Sequence, residues 1–143
     1  MISPLGHVLV VDDDAGIRHL ISAILARDGW SYEVADDGCD AIAKIERNHP
    51  DVILLDLMMP KVNGFEILDR LRVSKPELLR RVIVLTAASN STLQRMTSEA
   101  EVFKLIRKPF ELDELRAEVH RCAGSIHSER AAVVGREARI SQP

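Results

Sequence analysis

HVLVVDDDAGI, residues 7–17, runs from an apolar stretch directly into three consecutive carboxylates. Val8 to Val11 have the aliphatic, β-branched composition of a buried strand, and Ile17 begins a helical apolar pattern. Neighbouring like charges repel, so three acids at the end of a strand need something positive among them. The stretch predicts a strand, a loop that carries chemistry, and then a helix.

The same alternation of strand and helix recurs along the 143 residues. The β-rich runs lie at 8–11, 31–35, 52–55, 82–85 and 102–106, and each is followed by a segment with helical spacing. In the first helix, one face is expected to be buried through Ile17, Leu20, Ile21, Ile24 and Leu25. Nearly continuous aliphatic strands are typical of parallel sheets with both faces covered. The pattern predicts an α/β protein with a doubly wound, five-stranded parallel sheet, in the order 2-1-3-4-5 if strand two lies outermost.

The composition argues against several kinds of partner. The net charge of −3 and the pI near 5.9 provide no basic surface for nucleic acid or for acidic membranes. The longest apolar runs have only four residues, and Met1 to Gly6 lack the features of a signal peptide. We therefore expect a cytoplasmic protein that contacts neither nucleic acid nor membrane directly.

The length predicts one domain at residues 1–123. Residues 124–143 are poor in large apolar side chains, so they are expected to form a flexible or loosely docked tail. Between strands four and five, residues 89–99 are rich in Ser, Thr and Asn. Because these side chains compete for backbone hydrogen bonds, we expect a weak helix there.

Polar side chains stand at the ends of four predicted strands. Asp12 and Asp13 follow the first strand, Asp56 the third, Thr86 the fourth and Lys108 the fifth. Because the carboxyl ends of parallel strands share one edge, these side chains should converge there. Mg²⁺ suits a carboxylate cluster that must leave room for a phosphate oxygen. The set predicts phosphoryl transfer to a carboxylate, with Asp56 as the nucleophile because it ends the central strand.

The chain resembles a response regulator receiver domain, a two-component phosphoacceptor, over residues 6 to about 123. The resemblance depends on four motifs in order: VLVVDDD at 8–14, ILLDLMMPKVNG at 53–64, VIVLTA at 82–87 and KPF at 108–110. It implies the flavodoxin-like (αβ)5 fold and, in its simplest form, a stand-alone chemotaxis-type receiver. The resemblance also implies that the protein catalyses only its own phosphorylation and slow dephosphorylation, and that it is not otherwise an enzyme.

The resemblance assigns roles to the acidic residues. It implies that Asp13 binds Mg²⁺ directly, that Asp12 acts through water, and that the main-chain carbonyl of Met58 completes the metal site with Asp56. Asp14 has a different expected role, because it immediately precedes the first helix and can cap it.

The remaining roles concern phosphorylation and output. The resemblance implies that Asp56 is the phospho-acceptor, Thr86 the switch hydroxyl and Lys108 the phosphate-binding lysine, with a cis peptide bond before Pro109. The implied donor is a histidine kinase or a histidine phosphotransfer protein. The implied output is a downstream protein target that binds the fourth helix, fifth strand and fifth helix, on a monomer or a phosphorylation-dependent dimer.

Two features depart from the usual receiver pattern. Leu105 occupies the place of a switch aromatic, so the coupling to Thr86 is lost unless Phe103 compensates. Met58 and Ala88 are apolar at positions where polar side chains can orient an attacking water, which predicts a long-lived phosphoryl group.

Three alternatives remain. The chain could be a receiver fragment of a larger regulator whose effector domain is missing, or a degenerate receiver that serves only as a binding module. The Asp-x-Asp within residues 12–14 also occurs in haloacid-dehalogenase-type phosphatases, but Gly16 stands where that family has Thr or Val.

Overall fold

A computed structural model describes residues 5–59, 63–87 and 101–140, with residues 130–140 described by their backbone only. Its five parallel strands are β1 (His7–Val11), β2 (Ser31–Ala35), β3 (Val52–Asp56), β4 (Val82–Thr86) and β5 (Lys104–Arg107). Their order is β2-β1-β3-β4-β5. The predicted α/β class, the parallel sheet and the strand order are confirmed, and every residue of β3 and β4 is buried.

The described helices are α1 (Ala15–Asp28), α2 (Gly38–Asn48), α3 (Gly64–Ser74), a 3-10 helix (Pro76–Arg81) and a C-terminal helix (Leu112–Ile140). Polar side chains cap the first three. Asp14 accepts a hydrogen bond from the N–H of Ile17, and Asp37 and Asn63 do the same at α2 and α3. The predicted capping role of Asp14 is confirmed.

The core has two halves, one on each face of the sheet. On one face, α1 and the C-terminal helix cover Val8, Val10 and Leu54. On the other, α2, α3 and the 3-10 helix cover Leu9 and Leu55. Because side chains alternate along a strand, each central strand contributes to both halves. Both faces of the sheet are therefore covered.

Some details differ from the sequence-based predictions. Leu20 is 46% exposed, so it does not belong to the buried face of α1. The C-terminal helix continues through Gly124 without a break, and Ile126 is buried. The division into a domain and a loosely docked tail stays a prediction, and the weak helix at 89–99 lies outside the described residues. Within the described residues, no helix combines the length and apolar composition needed to span a membrane.

Candidate functional site

The structure brings the predicted site residues together at the carboxyl edge of the sheet. Asp12 directly follows β1, Asp56 and Thr86 are the last residues of β3 and β4, and Lys108 directly follows β5. Ligand atoms of Asp12, Asp13 and Asp56 all lie within 4.8 Å of one another. The ammonium of Lys108 lies 2.9 Å from Asp12 Oδ2 and 3.7 Å from Asp56 Oδ2.

Asp56 is a buried carboxyl, 5% exposed, at the centre of this group. Burial raises its pKa above the ordinary 3.8, and the nearby charge of Asp12 raises it further. A hydrogen bond from the N–H of Met58 to Asp56 Oδ1 (3.1 Å) and the ammonium of Lys108 act in the opposite direction. The carboxylate therefore lies where additional positive charge would stabilise it.

Every polar atom of Asp12 has a partner. Its N–H donates to the carbonyl of Ala35 (3.2 Å), and its own carbonyl accepts from Arg18 Nη1 (2.7 Å). Its Oδ1 accepts from the N–H of Asp14 (2.9 Å), and its Oδ2 accepts from Lys108 Nζ (2.9 Å). Since the carboxylate is also only 1% exposed, the surrounding chain fixes its orientation.

Asp13 is different, because its carboxylate is exposed and forms no hydrogen bond or ion pair with any described residue. The three consecutive acids thus have three environments: Asp12 is buried and fully hydrogen-bonded, Asp13 is open to solvent, and Asp14 caps α1. An open carboxylate beside two fixed ones is the donor set that a hard divalent cation prefers. These three oxygen donors, Asp12, Asp13 and Asp56, fit Mg²⁺.

The loop after β5 contains the cis peptide bond expected between Lys108 and Pro109. The N–H of Lys108 donates to the carbonyl of Thr86 (2.9 Å), which joins this loop to the end of β4. Thr86 is fully buried, and the side chain of Met58 is 56% exposed. The roles predicted for the Thr86 hydroxyl and the Met58 carbonyl stay predictions.

Phe103 does not lie beside Thr86. Its N–H bonds to the carbonyl of Val82, at the other end of β4, and its ring packs on the α1 side of the sheet. Leu105 pairs with Val84 and packs on the opposite side, the one that Thr86 shares by alternation. Phe103 is therefore not placed to compensate for the missing aromatic, and Leu105 occupies the place of that aromatic.

Two residues of the site had no assigned role in the sequence analysis. Arg18 binds the main-chain carbonyl of Asp12 from the first turns of α1, and nothing in the sequence pattern marks this contact. Gly64 provides space beside the end of β3. A Cβ there would lie 2.5 Å from the carbonyl oxygen of Asp56 and 2.6 Å from Leu57 Cα, so only glycine fits against the strand end.

Among the described residues, this edge brings buried and open carboxylates together with the ammonium of Lys108. Residues 8–120 match the response regulator receiver domain, and the chain belongs to that family. It is a receiver domain of two-component signalling, a class that interacts with histidine kinases and with downstream targets. The match favours this reading over a haloacid-dehalogenase-type phosphatase.

Curated relatives agree with this assignment. The transcriptional regulatory protein TrcR of Mycobacterium tuberculosis is 41% identical over 134 residues, covering 91% of this chain and 50% of that protein. The response regulator MprA of Mycobacterium sp. (strain KMS) is 37% identical over 110 residues, covering 77% of this chain and 47% of MprA. The chain thus spans about half the length of these relatives.

Solved structures share the fold. The receiver domain of Francisella response regulator 1452 is 31% identical with a TM-score of 0.74, and the alignment covers 85% of this chain and 98% of that one. TrrA from Thermotoga maritima, in complex with Mg(2+)-BeF, is 30% identical with a TM-score of 0.71, covering 81% of this chain and 97% of TrrA.

Proposed function

We propose that Asp56 accepts a phosphoryl group from a phosphohistidine on a histidine kinase or phosphotransfer protein. The P–N bond of the phosphohistidine breaks, a P–O bond to the Asp56 carboxylate forms, and the leaving imidazole nitrogen takes up a proton. The observation that carries the proposal is the position of Asp56: a buried carboxyl at the end of the central strand, 3.7 Å from the Lys108 ammonium and beside two other carboxylates.

The neighbouring side chains supply what the transfer needs. Mg²⁺, held by Asp12, Asp13, Asp56 and the main-chain carbonyl of Met58, would neutralise charge on the transferred oxygens. The Lys108 ammonium lies close enough to Asp56 to bind a phosphoryl group on its carboxylate. TrrA, which shares this fold, has been solved with Mg(2+)-BeF, and this supports a magnesium site in the present chain.

Phosphorylation would add roughly −1.5 to −2 charges at the edge of the sheet. We propose that the Thr86 hydroxyl and Lys108 move toward this charge and that β5 and its neighbouring helices change their partner preference. A protein partner then shifts the equilibrium by its differential affinity for the two states. The output surface is the predicted fourth helix, which lies outside the described residues, together with β5 and the C-terminal helix, on a monomer or a phosphorylation-dependent dimer.

The target of this surface can be a separate protein or an effector domain joined to the receiver. The relatives TrcR and MprA are about twice as long as the matched region, which favours an attached effector as the second candidate. In both cases the receiver catalyses only its own phosphorylation and slow dephosphorylation. A phosphoryl half-life longer than that of a free acyl phosphate is expected from Met58 and Ala88, the second of which lies outside the described residues.

The decisive experiment is intact-mass spectrometry after incubation with acetyl phosphate and Mg²⁺. The wild type should gain one phosphoryl group and Asp56→Asn none. Asp51→Asn is the matched control, because Asp51 is equally buried (6% exposed) but lies before β3 at the opposite edge. Equal labelling of the wild type and Asp56→Asn would remove Asp56 from its role.

A further inference from the structure

Arg18 closes a ring of hydrogen bonds around the acidic loop. Asp14 donates its N–H to Asp12 Oδ1 (2.9 Å), and the N–H of Arg18 donates to the carbonyl of Asp14 (3.0 Å). The Arg18 guanidinium then returns to the carbonyl of Asp12 (2.7 Å). Asp12 and Asp14 of the loop and Arg18 of α1 are thereby joined to one another, and Asp13 lies between the two joined loop residues.

The Asp12 carbonyl belongs to the peptide unit that leads into Asp13. This unit is planar, so fixing the direction of its oxygen also fixes the direction of the N–H and Cα of Asp13. Asp13 has no hydrogen-bonding partner among the described residues. The main chain alone therefore sets the position and direction from which the Asp13 side chain extends. A cation that needs Asp13 close to Asp12 and Asp56 therefore depends on this peptide plane.

We propose that Arg18 is a positioning residue for divalent-cation binding: through the Asp12 carbonyl, it holds the Asp13 carboxylate at the metal site. The proposal rests on the proposed function, because it concerns the same magnesium site. Supporting groups behind metal ligands commonly change metal affinity by roughly 10- to 100-fold. The hydrogen bond is charge-assisted and half-buried, which favours a fixed geometry.

Because Arg18 is positively charged, the direction in which Mg²⁺ affinity changes on its removal tests the proposal. If Arg18 acted only through long-range repulsion, its removal would strengthen Mg²⁺ binding, because the site would lose a nearby positive charge. If Arg18 positions Asp13, its removal weakens binding despite the more negative site. The matched control is Arg27, an exposed arginine in the last turn of the same helix.

The experiment measures the Mg²⁺ affinity of wild type, Arg18→Met, Arg18→Lys and Arg27→Met by calorimetry, without any phosphodonor. We expect Arg18→Met to bind Mg²⁺ roughly tenfold more weakly. Arg18→Lys, which keeps a charged donor, should recover part of the loss, and Arg27→Met should match the wild type. Labelling by acetyl phosphate should need more Mg²⁺ in Arg18→Met and reach nearly the wild-type extent at saturation.

Unchanged or tighter binding by Arg18→Met would overturn the proposal, as would an equal loss in Arg27→Met or a wild type that does not bind Mg²⁺. Unfolding in the presence of a chelator shows whether each variant is folded, and Arg18→Lys provides the test if Arg18→Met is not. A wild type that binds Mg²⁺ but is not labelled at Asp56 would contradict the proposed function while leaving the positioning role of Arg18 intact.

Discussion

Polar side chains cluster at both edges of the sheet, but the two edges differ in how far their charged groups are paired. At the amino edge, the His7 ring lies between Ser31 Oγ (2.8 Å) and Glu33 Oε2 (3.1 Å). The Asn48 amide donates to both oxygens of Glu33 (2.8 and 2.7 Å), and the N–H of His7 donates to Asp51 Oδ2 (2.9 Å). We call these five residues the amino-edge network, and each of them has a partner.

At the carboxyl edge, the Lys108 ammonium lies close to two of the three carboxylates, those of Asp12 and Asp56. Asp13 has no partner among the described residues, and the pKa of Asp56 is raised. A network that only stabilises the fold pairs its charges, as the amino edge does. The uncompensated negative charge at the other edge supports the cation and phosphoryl site that we propose there, because perturbed groups of this kind cluster at functional sites.

The largest expected effect comes from removing the Lys108 ammonium from the carboxyl edge. Lys108→Met leaves Asp12 Oδ2 without its donor and Asp56 without its nearest cation. We expect the free energy of unfolding in chelator to fall by about 3 kcal/mol, as when one partner of a buried ion pair is removed. Mg²⁺ should stabilise this variant more than the wild type, because the cation takes the place of the ammonium.

Urea unfolding with chelator and with excess Mg²⁺ measures both effects. Lys104→Met is the control, since Lys104 is exposed on β5 and forms no ion pair with the described residues. An equal loss in Lys104→Met, or no extra gain from Mg²⁺ in Lys108→Met, would show that Lys108 does not balance this charge.

A smaller effect of the opposite sign is expected at Asp56. Its folded-state pKa is raised above 3.8, so the stability it contributes as a protonated group is lost as the pH rises through that pKa. Asp56→Asn keeps an oxygen for the Met58 N–H and removes the charge. We therefore expect the variant to be more stable than the wild type at neutral pH in chelator.

The pH dependence provides the check. As the pH falls through 3.8, the carboxyl becomes protonated in the unfolded chains as well as in the folded ones, so the advantage of Asp56→Asn should shrink and then disappear. Unfolding curves between pH 3 and 7 follow this change, with Asp51→Asn as the control. A constant difference at all pH values would indicate that packing, and not ionisation, separates the two proteins.

The sequence allowed the fold and most of the carboxyl edge to be predicted. Aliphatic strands alternate with amphipathic helices, and the carboxyl ends of parallel strands must share an edge. Asp12, Asp56, Thr86 and Lys108 could therefore be placed together from their positions alone. The long C-terminal helix could not, because residues beyond Gly124 carry too few large apolar side chains to give a strong helical pattern.

The amino-edge network and the Arg18 contact were missed for a different reason. His7 faces Ser31 and Glu33 only because β1 pairs with β2 in one particular register, with His7 opposite Ser31 and Leu9 opposite Glu33. A one-residue shift would separate them. Arg18 reaches the Asp12 carbonyl through a side-chain conformation that follows from the path of the loop. Such contacts depend on three-dimensional placement, which composition and periodicity do not record.

The smallest expected effect tests the amino edge directly. Glu33→Gln keeps an oxygen for the Asn48 amide but removes the charge that faces His7. Because the carboxylate is 22% exposed, we expect a loss of about 0.5–1 kcal/mol at neutral pH, as for a partly solvated hydrogen bond. Glu46→Gln, an exposed glutamate on α2 with no ion pair to the described residues, should change nothing. If Glu33→Gln stabilised the protein as Asp56→Asn is expected to, the amino edge would also hold uncompensated charge, and the contrast between the two edges would no longer identify the functional one.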